Sequence, residues 1–430
     1  MDRVIKKAKA LKGEITPPPD KSISHRAVMF ASLAKGASRI KNFLWAKDPI
    51  STLNAMKSFG VKIDITDSKE IIVHGKGLYS LKEPDNVIDC GNSGTTIRLL
   101  SGIAAGQRFL TVLTGDDSLR YRPMKRIINP LSLMGANIIG RDENRFPPVV
   151  IKGGVLRGIT YEMPIASAQV KSAILLAGVY AKDETTVIEP HKSRDHTERM
   201  LKNMGVHINI NGNTIRISPP KNELNCFEIT IPNDFSSASF FIAGACIVPN
   251  SEVLIKNVNL NNTRTGFLET LKKMGANIEV LNITEQAGEP VGDIFVKSSP
   301  MLKGITVQGD IIPKLIDEFP VLCVVATQSE GKTIIRDAKD LRTKESDRIK
   351  AMTSELKKMG AILEEFEDGV EIQGPCKLIG TEVYSYHDHR IAMALSIAGL
   401  IAEGETTIKN AECVDISFPN FYELLMMLQR

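Results

Sequence analysis

Basic side chains recur in this chain beside sequences that start helices. Lys21 precedes Ser22-Ile23-Ser24, with Arg26 five residues on, and Arg98 follows Asn92-Ser93-Gly94-Thr95. Arg120 and Arg122 lie in the glycine-led stretch 115–123, Lys344-Glu345-Ser346-Asp347-Arg348 opens a further helix, and Arg390 follows Asp388-His389. A helix start already carries about half a positive charge on its free N–H groups and is a ready anion site. A cation added there is poorly placed unless an anion joins it. Planar guanidinium groups bind carboxylate and phosphate bidentately, so several at several helix starts imply ligands with more than one anionic group. Any single Ser or Asp at such a place is explained by ordinary N-capping; its coincidence with arginines is what points to a ligand.

The elements that must position these residues form a repeat. An amphipathic stretch ending in Phe-Gly or Met-Gly occurs at Gly60, Gly135, Gly205, Gly275 and Gly360. Each glycine is followed by alternation such as Val61-Lys62-Ile63-Asp64-Ile65 or Val206-His207-Ile208-Asn209-Ile210. Glycine after a periodic helix is the expected C-cap and the alternation after it predicts a strand. A second signature interleaves with the first: a polar cluster opens a helix that is apolar all round and therefore buried. Its openings are Lys21-Ser22-Ile23-Ser24, Asn92-Ser93-Gly94-Thr95, Ser167-Ala168-Gln169, Ser236-Ser237-Ala238-Ser239, Asp317-Glu318 and Asp388-His389-Arg390. Together the signatures predict six α/β units with one buried helix, one exposed helix and roughly four strands each. Six such units exceed a single core, so two lobes of three are expected. The crossings fall at Pro17-Pro18-Pro19 and in the segment 225–234, which contains Pro232. One lobe then spans residues 20–232 and the other residues 1–19 and 233–430.

Composition narrows the class. The 430 residues are 43% hydrophobic and 24% charged, with a formal net charge of +4. That charge is too small for a general nucleic-acid binder but suits local pockets for small anions. The six cysteines are scattered without a C-x-x-C pair, which reads as reduced core thiols rather than a disulfide framework or zinc site. The N-terminal residues lack a signal-peptide core, and no apolar run is long enough to span a membrane. A cytoplasmic globular protein with no membrane partner is the expectation.

Six stretches, taken together and in order, resemble one family. They are Pro18-Pro19-Asp20-Lys21-Ser22-Ile23-Ser24-His25-Arg26, Gly91-Asn92-Ser93-Gly94-Thr95-Thr96-Ile97-Arg98, Arg122-Pro123-Met124, Ser167-Ala168-Gln169-Val170-Lys171, Lys344-Glu345-Ser346-Asp347-Arg348 and Asp388-His389-Arg390. They resemble the 3-phosphoshikimate 1-carboxyvinyltransferases (EPSP synthases), enolpyruvyl transferases that join phosphoenolpyruvate to 3-phosphoshikimate. The resemblance implies an α/β protein with a two-lobed, inverse α/β barrel-like fold of six β-α-β-α-β-β repeats. It implies that Lys21, Ser22, Arg26, Ser167, Ala168, Gln169, Ser193, Asp317 and Lys344 contact 3-phosphoshikimate, with Arg194 added by the second-class pattern described below. Lys21, Gly94, Arg122, Gln169, Arg348 and Arg390 would hold phosphoenolpyruvate. Asp317 would accept the proton of the attacking 5-hydroxyl, and Glu345 would protonate the phosphoenolpyruvate methylene, with Lys21, Lys344 and His389 assisting. The chemistry needs an acid, a base and cations for the departing phosphate, and no metal or organic cofactor. The resemblance further implies a monomer whose lobes close on the substrates, and competitive inhibition by glyphosate.

Some positions depart from the family pattern. The C-terminal loop that commonly carries a lysine reads Val414-Asp415-Ile416-Ser417-Phe418-Pro419, and Asp340 stands where an asparagine is frequent. His196, Ser-Ala-Gln-Val-Lys at 167–171 and Asn261-Asn262-Thr263-Arg264 resemble the second class of these enzymes. In that setting Arg194 would reach the shikimate phosphate; its alternative is a surface ion pair with Asp195 or Glu198. The related UDP-N-acetylglucosamine enolpyruvyl transferases place a cysteine in the loop corresponding to residues 115–122, which has none here. A scaffold that kept the fold and lost catalysis would not need Asp317, Glu345 and the basic set. Gly331-Lys332-Thr333 lacks the first glycine of a phosphate-binding loop, Asp116-Asp117 is expected to pair with Arg120 and Arg122, and Trp45 is expected to pack.

Overall fold

The computed structural model describes residues 1–286, 288–299 and 301–430. The chain forms two compact units. The first is Pro19–Ile231 with Gln286–Glu289; the second is Met1–Pro18, Pro232–Glu285 and Pro290–Arg430. Each has its own hydrophobic core.

The repeated glycines explain the modules. Gly60, Gly135, Gly205, Gly275 and Gly360 all have positive φ, between 79° and 100°. Each stands one residue beyond a helix C-cap: Phe59, Met134, Met204, Met274 and Met359. Left-handed backbone there turns the chain out of the helix at no Cβ cost. A strand follows each: Lys62–Ile65, Asn137–Gly140, Ile208–Asn211, Asn277–Gln286 and Ile362–Phe366.

The other helix of each module, the first in chain order, is buried. These are Lys21–Leu33, Gly94–Ala105, Ala168–Gly178, Phe235–Ile247, Phe319–Ala326 and His389–Gly399. Five start on a side-chain cap: Asp20, Ser93, Ser167, Asp234 and Asp388 accept from the N–H groups of Ile23, Thr96, Val170, Ser237 and Arg390. Two of these lie upstream of the expected clusters. Ser24 is already inside its helix, where its Oγ takes the Leu44 N–H at 3.2 Å, and Ser239 bonds back to the Ser236 carbonyl at 2.6 Å. The Phe319 helix is the exception, because its cap residue Glu318 makes no side-chain cap bond. Asp317 does not cap it either; other partners hold that carboxylate.

Among the described residues the strands form five four-stranded sheets and one of three strands. In every four-stranded sheet one edge strand runs parallel to the strand that follows the buried helix. The next pair is antiparallel. Two edge strands depart from chain order. Lys12–Ile15 precedes the Lys21 helix yet pairs with Glu252–Asn259, and Glu228–Thr230 precedes the Phe235 helix yet pairs with Lys35–Lys41. The chain changes unit just after each, at Pro18–Pro19 and Ile231–Pro232, where proline's missing donor suits departure from a ladder. The three-stranded sheet takes Arg3–Lys6 antiparallel to Glu405–Lys409. Every strand order is open, so the barrel-like character expected from the resemblance does not extend to a closed barrel among the described residues. Gly331-Lys332-Thr333 begins a strand, Gly331–Ile335, and not a loop leading into a helix. Trp45 packs edge-on against Phe43, ring centroids 5.2 Å apart.

Candidate active site

The residues singled out by the sequence fall into two groups, one in each unit. In the first unit, Lys21 opens its helix with its ammonium 3.2 Å from Asp48. Arg26, buried a turn further on, donates to Thr197 Oγ1 at 2.8 Å, Ser172 Oγ at 2.9 Å and the Ser22 carbonyl at 3.0 Å. It thereby fixes its own helix start against Ala168–Gly178 and the helix His196–Asn203. His25 on the same helix lies 2.6 Å from Thr52 Oγ1, which lies 2.7 Å from Thr96 Oγ1, and Thr96 bonds the cap Ser93 at 2.8 Å. Burial, with Lys21 and Arg26 beside it, holds the His25 imidazole well below its usual pKa. A neutral histidine thus links the Lys21 and Gly94 helix starts.

Two guanidinium groups crowd Gly94. A Cβ there would lie 2.9 Å from Arg98 Nη1 and 3.3 Å from Arg122 Nη1. Arg122 donates to Asn92 Oδ1 at 2.6 Å and Ser118 Oγ at 3.2 Å. Arg98 donates to Gln169 Oε1 and to the Pro123 carbonyl, and Gln169 donates to Thr95 Oγ1 at 3.0 Å. Gly94, Arg122 and Gln169 therefore come together, with Arg98 among them. In the loop before Arg122, Arg120 pairs with Asp117, and Asp116 is held by Asn92 and the Leu119 N–H.

Ser167 caps its helix, Ala168 begins it, and both are partly exposed beside Gln169. Lys171, one turn in, is wholly buried between Glu189 at 2.9 Å and Glu198 at 2.7 Å. Burial works against its charge, yet the two carboxylates outweigh this and hold its pKa above the usual lysine range. Glu189 also accepts from Ser193. Arg194 is half-buried. Next to it in sequence, Asp195 lies 2.9 Å from Arg199 and Glu198 lies 2.7 Å from Lys171. His196 is buried with Nδ1 2.7 Å from Glu289.

In the second unit the chemistry gathers around Arg348, the first residue of the helix Arg348–Lys358. Its Nε donates to Asp388 at 2.8 Å, Nη1 to Asp317 at 3.1 Å and Nη2 to Glu345 at 2.6 Å. Burial opposes this charge, but Asp388, Glu345 and Asp317 outweigh it and raise the guanidinium pKa above its usual range. Arg348 is 1% exposed while Asp317 and Glu345 are 17% and 16% exposed, so the guanidinium is the most enclosed member of the cluster and the two carboxyls lie toward its surface. Asp317 is also held by Arg390, whose Nη2 lies 3.3 Å from Oδ2 and whose Nη1 donates to the Asp317 carbonyl at 3.3 Å. Asp388 caps the helix His389–Gly399 and accepts from Ser346 Oγ at 3.0 Å. His389 is buried at that helix start. Lys344 pairs with Asp340, so the carboxylate standing in the frequent asparagine position serves as its counter-ion.

Asn92, Asp48 and Asp388 join these clusters although the sequence did not assign them to the site, as does Arg98, a cation at a helix start to which no substrate was assigned. Arg98, Asn92 and Asp388 lie inside the motifs that carried the resemblance and were legible as neighbours. Asp48 sits in the helix Lys47–Ser58, and nothing local marks it. Among the described residues no group of three or more His, Cys, Asp or Glu side chains is arranged to hold a metal, and no helix is long and apolar enough to cross a membrane.

Residues 5–425 match the family model for EPSP synthase (3-phosphoshikimate 1-carboxyvinyltransferase). A protein of Thermodesulfovibrio yellowstonii named 3-phosphoshikimate 1-carboxyvinyltransferase is 84% identical over 430 residues, covering 100% of both chains. One of the same name from Thermoanaerobacter sp. is 54% identical over 428 residues, again covering 100% of both. The solved EPSP synthase from Acinetobacter baumannii superposes with a TM-score of 0.87 at 46% identity, covering 100% of this chain and 98% of that one.

Proposed function

The chain belongs to the EPSP synthase (3-phosphoshikimate 1-carboxyvinyltransferase) family, and we propose that it transfers the enolpyruvyl group of phosphoenolpyruvate to the 5-hydroxyl of 3-phosphoshikimate. The products are 5-enolpyruvylshikimate 3-phosphate and phosphate, a step of the shikimate pathway. The observation that carries the reading is the convergence of Asp317 and Glu345 on Arg348. It puts two carboxyl groups within reach of a cation suited to a substrate carboxylate.

The residues take the following parts. Lys21, Ser22, Arg26, Ser167, Ala168, Gln169, Ser193 and Arg194 receive 3-phosphoshikimate, and the arginines among them meet its phosphate bidentately. Asp317 and Lys344 contribute to the same substrate. Gly94, Arg122, Gln169, Lys21, Arg348 and Arg390 receive phosphoenolpyruvate. Glu345 protonates C3 of phosphoenolpyruvate as the 5-oxygen bonds to C2 and its proton passes to Asp317. The tetrahedral adduct then returns a C3 proton to the Glu345 carboxylate and expels phosphate, whose charge the basic residues stabilise. Lys344 and His389 assist beside Glu345.

Glyphosate, a phosphonate, would compete with phosphoenolpyruvate for the Gly94–Arg122 group. A cytoplasmic monomer is the setting this reading favours; the six free thiols support a reducing compartment. The test is phosphate release with each substrate alone, with both, and with UDP-N-acetylglucosamine replacing 3-phosphoshikimate. Release only with phosphoenolpyruvate and 3-phosphoshikimate together supports the reading. Release with the UDP-sugar would assign the related activity, and none under any condition would leave a scaffold.

A further inference from the structure

Glu189 holds both donors of Ser193. Its Oε1 accepts the Ser193 backbone N–H at 3.2 Å and the Ser193 hydroxyl, while Oε2 accepts Lys171 Nζ at 2.9 Å. Lys171 Nζ in turn donates to the Ser193 carbonyl at 3.2 Å. One ion pair, with both side chains 1% exposed, thus grips Ser193 at its N–H, its hydroxyl and its carbonyl. Lys171 also stands one turn into the helix opened by Ser167-Ala168-Gln169, and its backbone N–H donates to the Ser167 carbonyl at 3.0 Å. The pair therefore ties together two separate stretches assigned above to 3-phosphoshikimate.

A hydroxyl has one proton to give. Here the Ser193 proton goes to Glu189, so Ser193 adjoins 3-phosphoshikimate without donating to its phosphate, and Arg194, the next residue, supplies the donors. Resting on the function proposed above, we propose that Lys171 and Glu189 are positioning residues for 3-phosphoshikimate. They fix the backbone at Ser193 and thereby set where Arg194 presents its guanidinium relative to Ser167 and Gln169. Neither residue touches the substrate.

The charge balance supplies a matched control. One ammonium serves two buried carboxylates, Glu189 and Glu198, so removing either leaves a one-to-one pair with Lys171. The removals differ in that Glu189 bonds Ser193, whereas the side chain of Glu198 pairs with Lys171. Glu189→Ala and Glu198→Ala are compared by steady-state kinetics in both substrates, with thermal melting alongside. The proposal expects Glu189→Ala to raise KM for 3-phosphoshikimate by about tenfold or more with KM for phosphoenolpyruvate within about twofold, and Glu198→Ala to leave both within about twofold. Equal effects of the two substitutions, or an unchanged KM for 3-phosphoshikimate in Glu189→Ala, would overturn it in favour of a purely structural network. Glu189→Asp keeps the charge but shortens its reach, and it replaces the alanine variant in the same comparison should that variant fail to fold. Absence of turnover in the unmodified protein would count against the proposed reaction; normal turnover with no split in KM would count against the positioning role alone.

Discussion

Arg348 donates to Glu345 at 2.6 Å, so the guanidinium assigned to the carboxylate of phosphoenolpyruvate also holds the carboxyl assigned as proton donor. Charge-assisted bonds of this kind orient as well as attract. Glu345→Gln keeps an acceptor for Arg348 and removes the acid. Turnover should fall by ~10²-fold or more, the usual worth of a positioned acid or base, with both KM values little changed. An unchanged kcat would take Glu345 out of the proton-donor role.

Asp317 is held by Arg348 and Arg390 rather than by a helix start. Asp317→Ala should therefore lower kcat and raise KM for 3-phosphoshikimate. It should also raise KM for phosphoenolpyruvate, because both guanidinium groups lose a partner that orients them. A change in melting temperature with normal kinetics would reduce Asp317 to a structural residue.

A methyl group at Gly94 would press on Arg98 at 2.9 Å and on Arg122 at 3.3 Å. The first distance demands a shift, which a guanidinium at the end of a flexible side chain can make. Gly94→Ala should weaken glyphosate, the longer ligand, more than phosphoenolpyruvate, read as a larger rise in the inhibition constant than in KM. Equal losses would mean that displacement of the arginines, and not the space for the ligand, sets the effect. An unmodified enzyme indifferent to glyphosate would contradict competitive binding at this group.

The modules were legible because two local rules generate them. Gly60, Gly135, Gly205, Gly275 and Gly360 announce left-handed C-caps, and helices such as Phe235–Ile247, apolar on every face, have to be buried. The pairing of Lys12–Ile15 and Glu228–Thr230 was not legible in detail, since each is a short strand whose partner is settled by tertiary packing. At the site, the arginines stood out by their poor fit to helix starts. Their anionic partners did not: Asp317 and Asp388 both look like caps in sequence, yet only Asp388 is one. Asp48 and Glu189 act through pairings that sequence neighbours do not reveal.

His25 predicts a particular acid sensitivity. Its folded pKa lies well below 6.5 because burial, Lys21 and Arg26 oppose its protonation. Between those values the unfolded chain binds a proton that the native protein does not. Its contribution to stability is therefore fully present above pH ~6.5 and is lost progressively as pH falls below that value. His25→Asn keeps a polar partner for Thr52 without the titration. Between pH 7.5 and 5.5, denaturant unfolding should show the unmodified protein losing more stability than the variant, on the order of 1 kcal/mol. Parallel losses would mean that His25 is not the group responsible.

The proposed chemistry is tested most directly by running the reaction in deuterium oxide and weighing the product. Addition across the double bond turns the phosphoenolpyruvate methylene into a methyl group carrying one solvent-derived hydrogen, and elimination of phosphate removes one hydrogen from it. The account predicts one equivalent of phosphate and an enolpyruvyl ether of 3-phosphoshikimate with deuterium in its vinyl group, with formation slowed in Glu345→Gln. Phosphate without the ether, or an ether whose vinyl group carries no deuterium, would contradict protonation of the methylene and with it the role given to Glu345.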